Sequence, residues 1–358
     1  MAHALHHLRA PACFAHRVRS SESSLPACGS SELREDGVQI LFVSIDVPFP
    51  RGLRWLRRVP FARTLLNEAL YVPRLWRLRQ VDVVHVFSAS YWSFLLAPVP
   101  AMLLARLWGK RVVLNYHSGE ADDHLARWGR LVHPWLRLAH SIVVPSHYLA
   151  EVFERHGYAV RVVPNVVDLG RFFYRDRAEI RPRFLSTRNL EPHYRVDVVI
   201  EAFALVRARC PEATLTVVGD GSEKPRLRAL AAERGAEGIR FLGAVEPSGM
   251  PDVYDGADVF LNASVVDNQP VSVLEAFAAG VPVVSTSTGD LAALVRDGET
   301  GVLVPADDPA AMAKAMLHVL ELPERARALA RAAREDVQRF TWPRVREAWA
   351  RVYDGTPA

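Results

Sequence analysis

The segment with the strongest chemical character runs from Asp267 to Glu275, with the sequence Asp-Asn-Gln-Pro-Val-Ser-Val-Leu-Glu. It follows an apolar run typical of a buried strand and leads into Ala276–Ala279, which favours a helix. Pro270 has no backbone N–H and suits the first turn of a helix. The free N–H groups of residues 271–273 would then point out of the helix start, where a phosphate binds well.

Glu275 lies about one turn further along the same predicted helix. A carboxylate there can accept hydrogen bonds from two hydroxyls of a ribose, as acidic residues do in nucleotide sites. The alternative is that Asp267 only caps the helix and that Glu275 is only a solvated charge. Leu274, Ala276 and Phe277 flank Glu275 with apolar side chains, which favours a functional carboxylate. For Asp267 both interpretations stay open.

Polar residues follow several other apolar runs. In open α/β sheets, ligands bind beyond the carboxyl ends of the strands. Glycines such as those of Gly219-Asp220-Gly221 let backbone N–H groups approach a phosphate, although a plain left-handed turn explains them equally well. The polar residues at such positions are His117–Glu120, Asn165, Thr187–Asn189, Gly219–Gly221 and Asn262–Ser264.

Short apolar runs alternate with helical stretches along most of the chain, which is the pattern of βαβ units. Most runs are continuously apolar, as expected for strands that are buried on both faces of a parallel sheet. A single sheet of this many strands would be large, so two sheets are predicted. The predicted strands are Val38–Ile45, Val81–Phe87, Arg111–Tyr116, Ser141–Pro145, Val160–Pro164, Arg183–Thr187, Thr214–Val218, Ile239–Leu242, Val259–Ala263, Pro282–Ser285 and Gly301–Val304.

Proline, asparagine, glycine and charged residues cluster between Pro164 and Arg183, so the break between the two sheets is predicted there. The fold class is therefore α/β, with two doubly wound, Rossmann-like domains. The predicted parts are an irregular segment over 1–37, a first domain over 38–168, a second domain over 169–340, and a C-terminal helix over 341–358 that packs back toward the first domain.

Length and composition agree with two globular domains. The chain has 358 residues, of which 50% are hydrophobic and 23% are charged. Three widely spaced cysteines exclude a disulfide scaffold and fit a reducing cytoplasm. The charge is uneven, at +8 over residues 1–165 and −4 over the rest, so the first half is expected to meet something anionic. Prolines interrupt the longest uncharged run, and histidines and arginines interrupt the N-terminus, so neither a membrane span nor a signal peptide is predicted.

The stretch from Asp267 to Glu275, followed by Gly280-Val281-Pro282-Val283-Val284-Ser285, resembles the family 4 glycosyltransferases. The resemblance extends in order from Val81 to Asp308. It implies the GT-B fold, in which two Rossmann-like domains face each other across a cleft. It also implies transfer of a sugar from a nucleotide diphosphate sugar, with retention at the anomeric carbon, no essential metal and no bound cofactor. Other stretches that agree are Pro164–Asp168, Thr216–Gly221, Phe241–Gly243 and Asp297–Val304.

The resemblance also implies roles for individual residues. Glu275 would hold the ribose of the nucleotide sugar. Asp267 would contact the transferred sugar, where the family usually has a glutamate, and His117 would face the same sugar from the first domain. Leu242 and Gly243 would border the base. The other predicted substrate-binding residues are Asn165, Arg188, Asn189, Arg195, Gly219, Asp220, Asn268, Gln269, Val271 and Ser272.

The sequence departs from the family in two places. The family grips the diphosphate with an arginine and a lysine five residues apart, and a strict register places Asn189 and Tyr194 there. Arg188 and Arg195 each lie one residue away, and Arg195, in a predicted loop, is expected to reach the phosphates. In addition, residues 1–32 show no apolar strand and no glycine pair, so the first domain is predicted to lack its initial βα unit.

Residues 51–79 contain eight arginines and one acid, interleaved with tryptophans and other large apolar residues. Such a stretch can lie on an anionic bilayer, and a solvated helical face is the alternative. No nucleic-acid motif accompanies the charge, so no such partner is predicted. The segment His117–His124 contains enough possible ligands for a metal ion, but helix capping by Asp122 and Asp123 is the simpler interpretation, and no metal site is predicted.

The sequence thus predicts a metal-independent, retaining hexosyltransferase. Its partners would be a nucleotide sugar and a glycan, lipid or small-molecule acceptor, and its location the cytoplasm or the inner face of the cell membrane. The alternatives are a catalytically silent GT-B partner protein and a sugar-nucleotide epimerase of the same fold. A phosphorylase would need a pyridoxal-phosphate lysine, and Lys110, Lys224 and Lys314 lie in no convincing site.

Overall fold

The computed structural model describes residues 12–14, 39–45, 47–50, 52, 53, 55, 59–88 and 90–356. These residues form two compact units. The first unit extends to Pro164 and also contains the chain from Arg346 onward, and the second runs from Asn165 to Val345. Each unit contains a six-stranded sheet whose strand pairs are all parallel. The prediction of two Rossmann-like domains with separate parallel sheets is confirmed.

The first unit alternates strands and helices. The described elements in chain order are β1 (Ala12–Phe14), β2 (Leu41–Phe42), α1 (Pro60–Tyr71), a 3₁₀ helix (Val72–Gln80), β3 (Val83–Ser88), α2 (Trp92–Leu96), α3 (Pro98–Leu107), β4 (Arg111–Tyr116), α4 (Ala121–Leu136), β5 (Ser141–Val144), α5 (His147–Arg155) and β6 (Arg161–Val162).

The strand β1 corrects the prediction that residues 1–32 contain no strand. The order of the first sheet is β2-β1-β3-β4-β5-β6, and Ala12 lies in register with both Leu41 and Val84. The strand of the βα unit predicted to be missing is therefore present. Three residues are too short for an apolar pattern that can be recognised in the sequence, so this strand was not predicted. The rest of the predicted irregular segment 1–37 lies outside the described residues.

The end of the chain belongs to the first unit. It carries most of the last helix, α13 (Trp342–Asp354). The Tyr353 hydroxyl lies 2.9 Å from Nδ1 of the buried His85 on β3, and Arg111 on β4 donates a hydrogen bond to the Val352 carbonyl at 3.3 Å. These contacts attach residues 346–356 to the first sheet.

The second unit has the same alternation. Its elements are β7 (Arg183–Thr187), a 3₁₀ helix (Pro192–Tyr194), α6 (Val196–Arg207), β8 (Thr214–Val218), α7 (Lys224–Glu233), β9 (Ile239–Gly243), a 3₁₀ helix (Pro247–Gly249), α8 (Met250–Asp255), β10 (Val259–Asn262), α9 (Val271–Ala278), β11 (Val283–Thr286), α10 (Leu291–Leu294), β12 (Val302–Val304), α11 (Pro309–Glu321), α12 (Pro323–Asp336) and a 3₁₀ helix (Val337–Phe340).

The second sheet is buried on both faces. Its order is β12-β11-β10-β7-β8-β9. On β10, Val259 and Leu261 pack into one apolar cluster, whereas Phe260 between them packs into another. Because successive side chains of a strand point to opposite faces, this division requires apolar residues at every position. The continuously apolar runs in the sequence have this physical origin.

No helix among the described residues is long and apolar enough to cross a bilayer.

Candidate active site

The loop after β10 is held by a network of buried polar groups. The Ser264 carbonyl accepts hydrogen bonds from the hydroxyls of Thr286 at 2.6 Å and Thr288 at 2.5 Å. The Ser264 hydroxyl donates to Asn262 at 2.8 Å, and Asn262 donates to Ser285 at 3.1 Å. Since satisfied buried polar groups are costly to separate, this network fixes the start of the segment that leads to Asp267.

Gly289 fixes the position of Asp267 from the other side. It has φ of +57°, and a Cβ at this position would collide with the Asp267 carbonyl oxygen. The next residue, Asp290, donates its N–H to the same carbonyl at 3.2 Å. Only glycine permits this close approach of the two backbone segments.

Arg188 lies at the centre of the site in the second unit. Its guanidinium donates to the Asp267 carboxylate at 2.5 Å and to the Ser272 hydroxyl at 3.1 Å. The same group lies 4.2 Å from the ring centroid of Tyr194. Its Nε is buried and has no hydrogen-bond partner among the described residues. Arg188 is therefore a nearly buried cation at the start of α9, and its Nε is a donor that neither of these two hydrogen bonds uses.

Arg195 has a different environment from the one expected for it. Its guanidinium donates to Asp197 at 3.1 Å and pairs with Asp307. Both carboxylates already neutralise this cation. The structure therefore places Arg188, rather than Arg195, beside the segment from Asp267 to Ser272. The loop position of Arg195 favoured it in the sequence, but neighbouring acids from other elements decide where a mobile cation binds.

The glycines after β8 allow two loops to pack together. Gly219 has φ of +133°, and a Cβ there would collide with the Arg188 carbonyl. A Cβ at Gly221 would collide with the Leu190 carbonyl, and Leu190 donates its N–H to Asp220 at 3.0 Å. These glycines bring the loop that carries Arg188 against the loop after β8, and their contact with a phosphate stays a prediction.

The helix α9 begins close to the predicted position. Pro270 is its N-cap residue rather than its first helical residue, and no side chain caps the helix. The Val273 N–H donates to the Pro270 carbonyl at 3.1 Å, so it is not one of the free donors. The N–H groups of Val271 and Ser272 are the ones that a helix start leaves without an intrahelical acceptor.

The residues before the helix connect it to the entry of the second unit. The Gln269 side chain accepts the N–H of Asn165, and the Asn165 side-chain amide donates to the Gln269 carbonyl at 2.8 Å. Asn268, like Gln269, is buried. Among the other predicted residues, Asn189 follows Arg188 in its loop. Leu242 is exposed, and the carbonyl of the next residue, Gly243, accepts the N–H of Gly219 at 2.8 Å.

Glu275 lies on α9 in contact with a buried tyrosine. Tyr254 of α8 donates its hydroxyl to Glu275 at 2.9 Å, and the same hydroxyl lies 2.8 Å from the Thr187 hydroxyl at the end of β7. Burial raises the pKa of Glu275 to about 7, although the hydrogen bond from Tyr254 and the charge of Arg171 act in the opposite direction. The carboxyl is thus only partly ionised near neutral pH and is poised to accept hydroxyl donors.

Two opposing effects also act on the pKa of Asp267. Burial raises its pKa, and the charge of Arg188 opposes that rise. A buried carboxylate with one cationic partner is stable only while the partner is present. Asp267 and Arg188 therefore form one unit, in which a ligand that binds Arg188 also changes the state of Asp267.

His117 belongs to the first unit, directly after β4. The backbone N–H of His117 donates to the Ser88 carbonyl at 3.4 Å. The centroid of its imidazole ring lies 5.8 Å from that of the Phe87 ring. Burial lowers its pKa to about 4. The imidazole is therefore neutral at physiological pH, with one nitrogen that donates and one that accepts.

The three buried histidines of this unit predict acid sensitivity. Burial lowers the pKa of His85 to about 3, that of His117 to about 4 and that of His124 to about 4. Between pH 6.5 and 4 the unfolded chain therefore binds protons that the folded chain does not. Each group lowers the free energy of unfolding by up to about 1.4 kcal/mol per pH unit as the pH falls through this window.

Urea unfolding of the protein at pH 7.5, 5.5 and 4.5 measures this effect. A His85→Gln variant, which has no imidazole at that position, should lose stability less steeply over the same range. Equal slopes for the two proteins would contradict the assignment.

The possible metal ligands around His117 do not converge. Asp123 accepts the Tyr91 hydroxyl at 2.6 Å and pairs with Arg127, and Asp122 pairs with Arg155. Among the residues that the structure describes, no group of three or more histidine, cysteine or acidic residues could hold a metal ion.

Sequence reasoning missed two residues of the site. Tyr254 anchors Glu275, and Tyr194 lies under the Arg188 guanidinium. Tyr254 precedes Glu275 by 21 residues in a different helix, so no local spacing connects them. Tyr194 stands in the sequence where the family usually has a lysine, and this replacement was the one available signal.

Comparison with known proteins identifies the family of the chain. Residues 26–171 match the profile of glycosyltransferase family 4, and residues 181–322 match that of glycosyl transferases group 1. A glycogen synthase of Mycobacterium tuberculosis is 31% identical over 305 residues, covering 80% of this chain and 71% of that protein. A phosphatidyl-myo-inositol mannosyltransferase of the same species is 34% identical over 291 residues, covering 76% and 73%.

The fold has solved counterparts as well. Anabaena Alr3699/HepE in complex with UDP-glucose superposes with a TM-score of 0.74 at 16% identity, covering 97% of this chain and 100% of that one. The two parallel-sheet units, the site with Arg188 and Glu275, and these relatives lead to one conclusion. The chain belongs to glycosyltransferase family 4 and is a glycosyltransferase of the GT-B type with a nucleotide-sugar donor.

Proposed function

We propose that this glycosyltransferase moves a hexose from a nucleotide diphosphate sugar to a hydroxyl of its acceptor, with retention at the anomeric carbon. The single observation that carries the proposal is the position of Arg188. It contacts both Asp267 and Ser272 at the start of the helix that also carries Glu275.

The chemistry follows from where charge develops. The bond between the anomeric carbon and the diphosphate oxygen breaks, and negative charge builds on that oxygen while the acceptor oxygen bonds to the same face of the carbon and passes its proton to the departing diphosphate. Arg188 and the N–H groups of Val271 and Ser272 would stabilise this charge without rearranging, because the surrounding loops already fix them. Glu275 would accept the hydroxyls of the ribose.

His117 would hydrogen-bond a hydroxyl of the transferred sugar as a neutral imidazole. An imidazolium would repel the cationic character that develops at the anomeric carbon, so the lowered pKa of His117 suits this role. No resident metal or cofactor takes part in the proposal, and turnover in the presence of EDTA tests this point.

A screen of nucleotides tests the proposal directly. The one that binds is expected to stabilise the folded chain by about 2.7 kcal/mol at 100 times its dissociation constant, so the unfolding midpoint should rise with concentration. UDP, GDP and ADP and their hexose derivatives form the panel, and UDP-glucose is the first choice because a structural neighbour binds it. Proton NMR of the product then reports the anomeric configuration. Absence of stabilisation by every nucleotide and nucleotide sugar in the panel would favour a catalytically silent partner protein instead.

We further propose that the first unit binds an anionic membrane surface. Phe61, Leu65 and Trp76 on α1 and the following 3₁₀ helix are 86%, 72% and 63% exposed. Arg74 and Arg77 of the 3₁₀ helix are also exposed, and these two helices contain one acid, Glu68. Each basic residue near such a surface adds about 1 kcal/mol of attraction. The other arginines of this stretch at 51, 54, 57 and 58 lie outside the described residues.

Vesicle sedimentation measures this binding. An Arg74→Gln/Arg77→Gln variant is expected to bind phosphatidylglycerol vesicles about 30-fold more weakly, and phosphatidylcholine vesicles should bind neither protein well. A Lys314→Gln/Arg325→Gln variant removes the same charge from exposed positions of the second unit and serves as the control. Equal losses in the two variants would show a general charge effect and no docking surface.

A further inference from the structure

A second exposed aromatic surface lies in the first unit, at the carboxyl end of its sheet. It consists of Tyr91, Trp92 and Trp128, which we name the aromatic platform. Trp92 is 66% exposed, and its ring meets that of Trp128 edge to face at a centroid distance of 5.1 Å. The Tyr91 ring meets Trp128 in the same way at 5.7 Å. Trp128 thus packs against both Trp92 and Tyr91, while most of the Trp92 indole stays exposed.

The platform adjoins His117. Ser90, the residue before the platform, has its hydroxyl 2.7 Å from that of Ser118, the residue after His117. The Ser90 hydroxyl also lies 2.8 Å from the Tyr116 hydroxyl, which lies 2.8 Å from Nδ1 of the buried His124. This chain of hydrogen bonds ties the loop after β3 to the loop after β4. Ligands of open α/β sheets bind at this edge.

The backbone at Tyr91 is strained. Its φ of 57° and ψ of −135° lie in a region that side chains other than glycine rarely adopt. A hydrogen bond from the Tyr91 hydroxyl to Asp123 at 2.6 Å holds it there. Strain of this kind costs about 1–3 kcal/mol and tends to persist at functional sites. Tyr91 is the N-cap residue of α2, and the exposed Trp92 follows it directly as the first residue of the helix.

The charges around the platform differ from those of the membrane surface proposed above. The first turn of α4 carries Asp122 and Asp123, and Glu120 precedes them. Arg155 and Arg127 pair with Asp122 and Asp123, so this surface has no excess of positive charge that would attract an anionic bilayer. Carboxylates and serine hydroxyls are groups that hydrogen-bond sugar hydroxyls. An exposed aromatic face beside such groups suits the apolar C–H face of a sugar ring.

We infer that the aromatic platform binds the acceptor, and that the acceptor presents a neutral sugar ring to it. The sugar would stack on Trp92 and direct its hydroxyls toward Ser118 and Asp123. This inference rests on the proposed function, because it assigns the acceptor side of the same transfer. It makes Tyr91 and Trp128 positioning residues and Trp92 the contact residue.

Binding to an array of neutral gluco-, manno- and galacto-oligosaccharides tests the inference with the full chain. The protein is expected to bind at least one class, Trp92→Ala to bind it about tenfold more weakly or worse, and Trp92→Phe to retain most of the binding. Leu131→Ala, at a 56% exposed position of the same helix as Trp128, is the control. In turnover assays, Trp92→Ala should raise the acceptor KM and leave the KM for the nucleotide sugar unchanged.

The outcomes separate the two proposals. Absence of oligosaccharide binding by a protein that nucleotides do stabilise would overturn the platform alone. Equal binding by Trp92→Ala and the unsubstituted protein, or a loss of vesicle binding in place of oligosaccharide binding, would also overturn it. Absence of stabilisation by any nucleotide would count against the proposed function, whatever the array shows.

Discussion

A Glu275→Gln variant is expected to lose about 100-fold in kcat/KM for the nucleotide sugar while remaining folded. The amide has the same shape as the carboxyl and can still accept the hydrogen bond from Tyr254. It is a neutral acceptor with a donor end, so it can hold only one ribose hydroxyl in place of two. Hydrogen bonds to a charged acceptor contribute about 1.5–3 kcal/mol each, which sets the size of the loss.

The same group predicts a pH dependence. Because the pKa of Glu275 is raised to about 7, the carboxylate that accepts both hydroxyls disappears as the pH falls below 7. The KM for the nucleotide sugar should therefore rise up to tenfold per pH unit below 7 in the unsubstituted protein and stay flat in Glu275→Gln.

The free energy of unfolding should change with pH in the opposite direction to binding of the nucleotide sugar. The folded pKa lies above the ordinary value of 4.5, so the protonated carboxyl favours the folded chain below pH 4.5. That contribution is lost as the pH rises through 7, and Glu275→Gln should then become the more stable protein. Glu179→Gln, at an exposed carboxylate of the same unit, is the matched control. Undiminished turnover in Glu275→Gln would refute the ribose role.

An Arg188→Ala variant is expected to lose both stability and turnover. The substitution leaves the Asp267 carboxylate buried without its cation, which costs about 3–5 kcal/mol. It also removes the donor that would face the diphosphate, which should reduce kcat by about 100- to 1,000-fold. Urea unfolding and initial rates measure the two effects separately.

Two further substitutions keep this prediction testable if Arg188→Ala does not fold. Arg188→Lys retains a cation for Asp267 and should fold, but it lacks the planar fork that also reaches Ser272, so turnover should still fall. Arg195→Gly deletes the neighbouring cation at a position with φ of 48° and ψ of 43°, which glycine adopts without strain. Turnover within about threefold of normal is expected there, since paired cations near the surface contribute little. A larger loss of turnover in Arg195→Gly than in Arg188→Lys would indicate that Arg195, and not Arg188, binds the phosphates.

Much of the fold could be predicted from the residues because burial on both faces leaves a local mark. The strand Val259–Asn262 is buried at every position and begins with three large apolar residues, and this run was visible without any tertiary information. The three residues Ala12–Phe14 are also apolar, but so short a run cannot be recognised as a strand. Their pairing with β2 and β3 depends on chain segments that lie far away in the sequence, so only the assembled sheet identified the strand.

The sequence alone located the helix start to which the proposed function assigns the diphosphate, because Pro270 and the spacing from Asp267 to Glu275 are local features. Only the tertiary structure decided which cation lies beside that helix start. Arg188 and Arg195 are equally basic in the sequence, but Asp197 and Asp307 bind one of them and Asp267 the other. The pairing of a long flexible side chain depends on every carboxylate within its reach, and these carboxylates come together only when distant loops fold against each other.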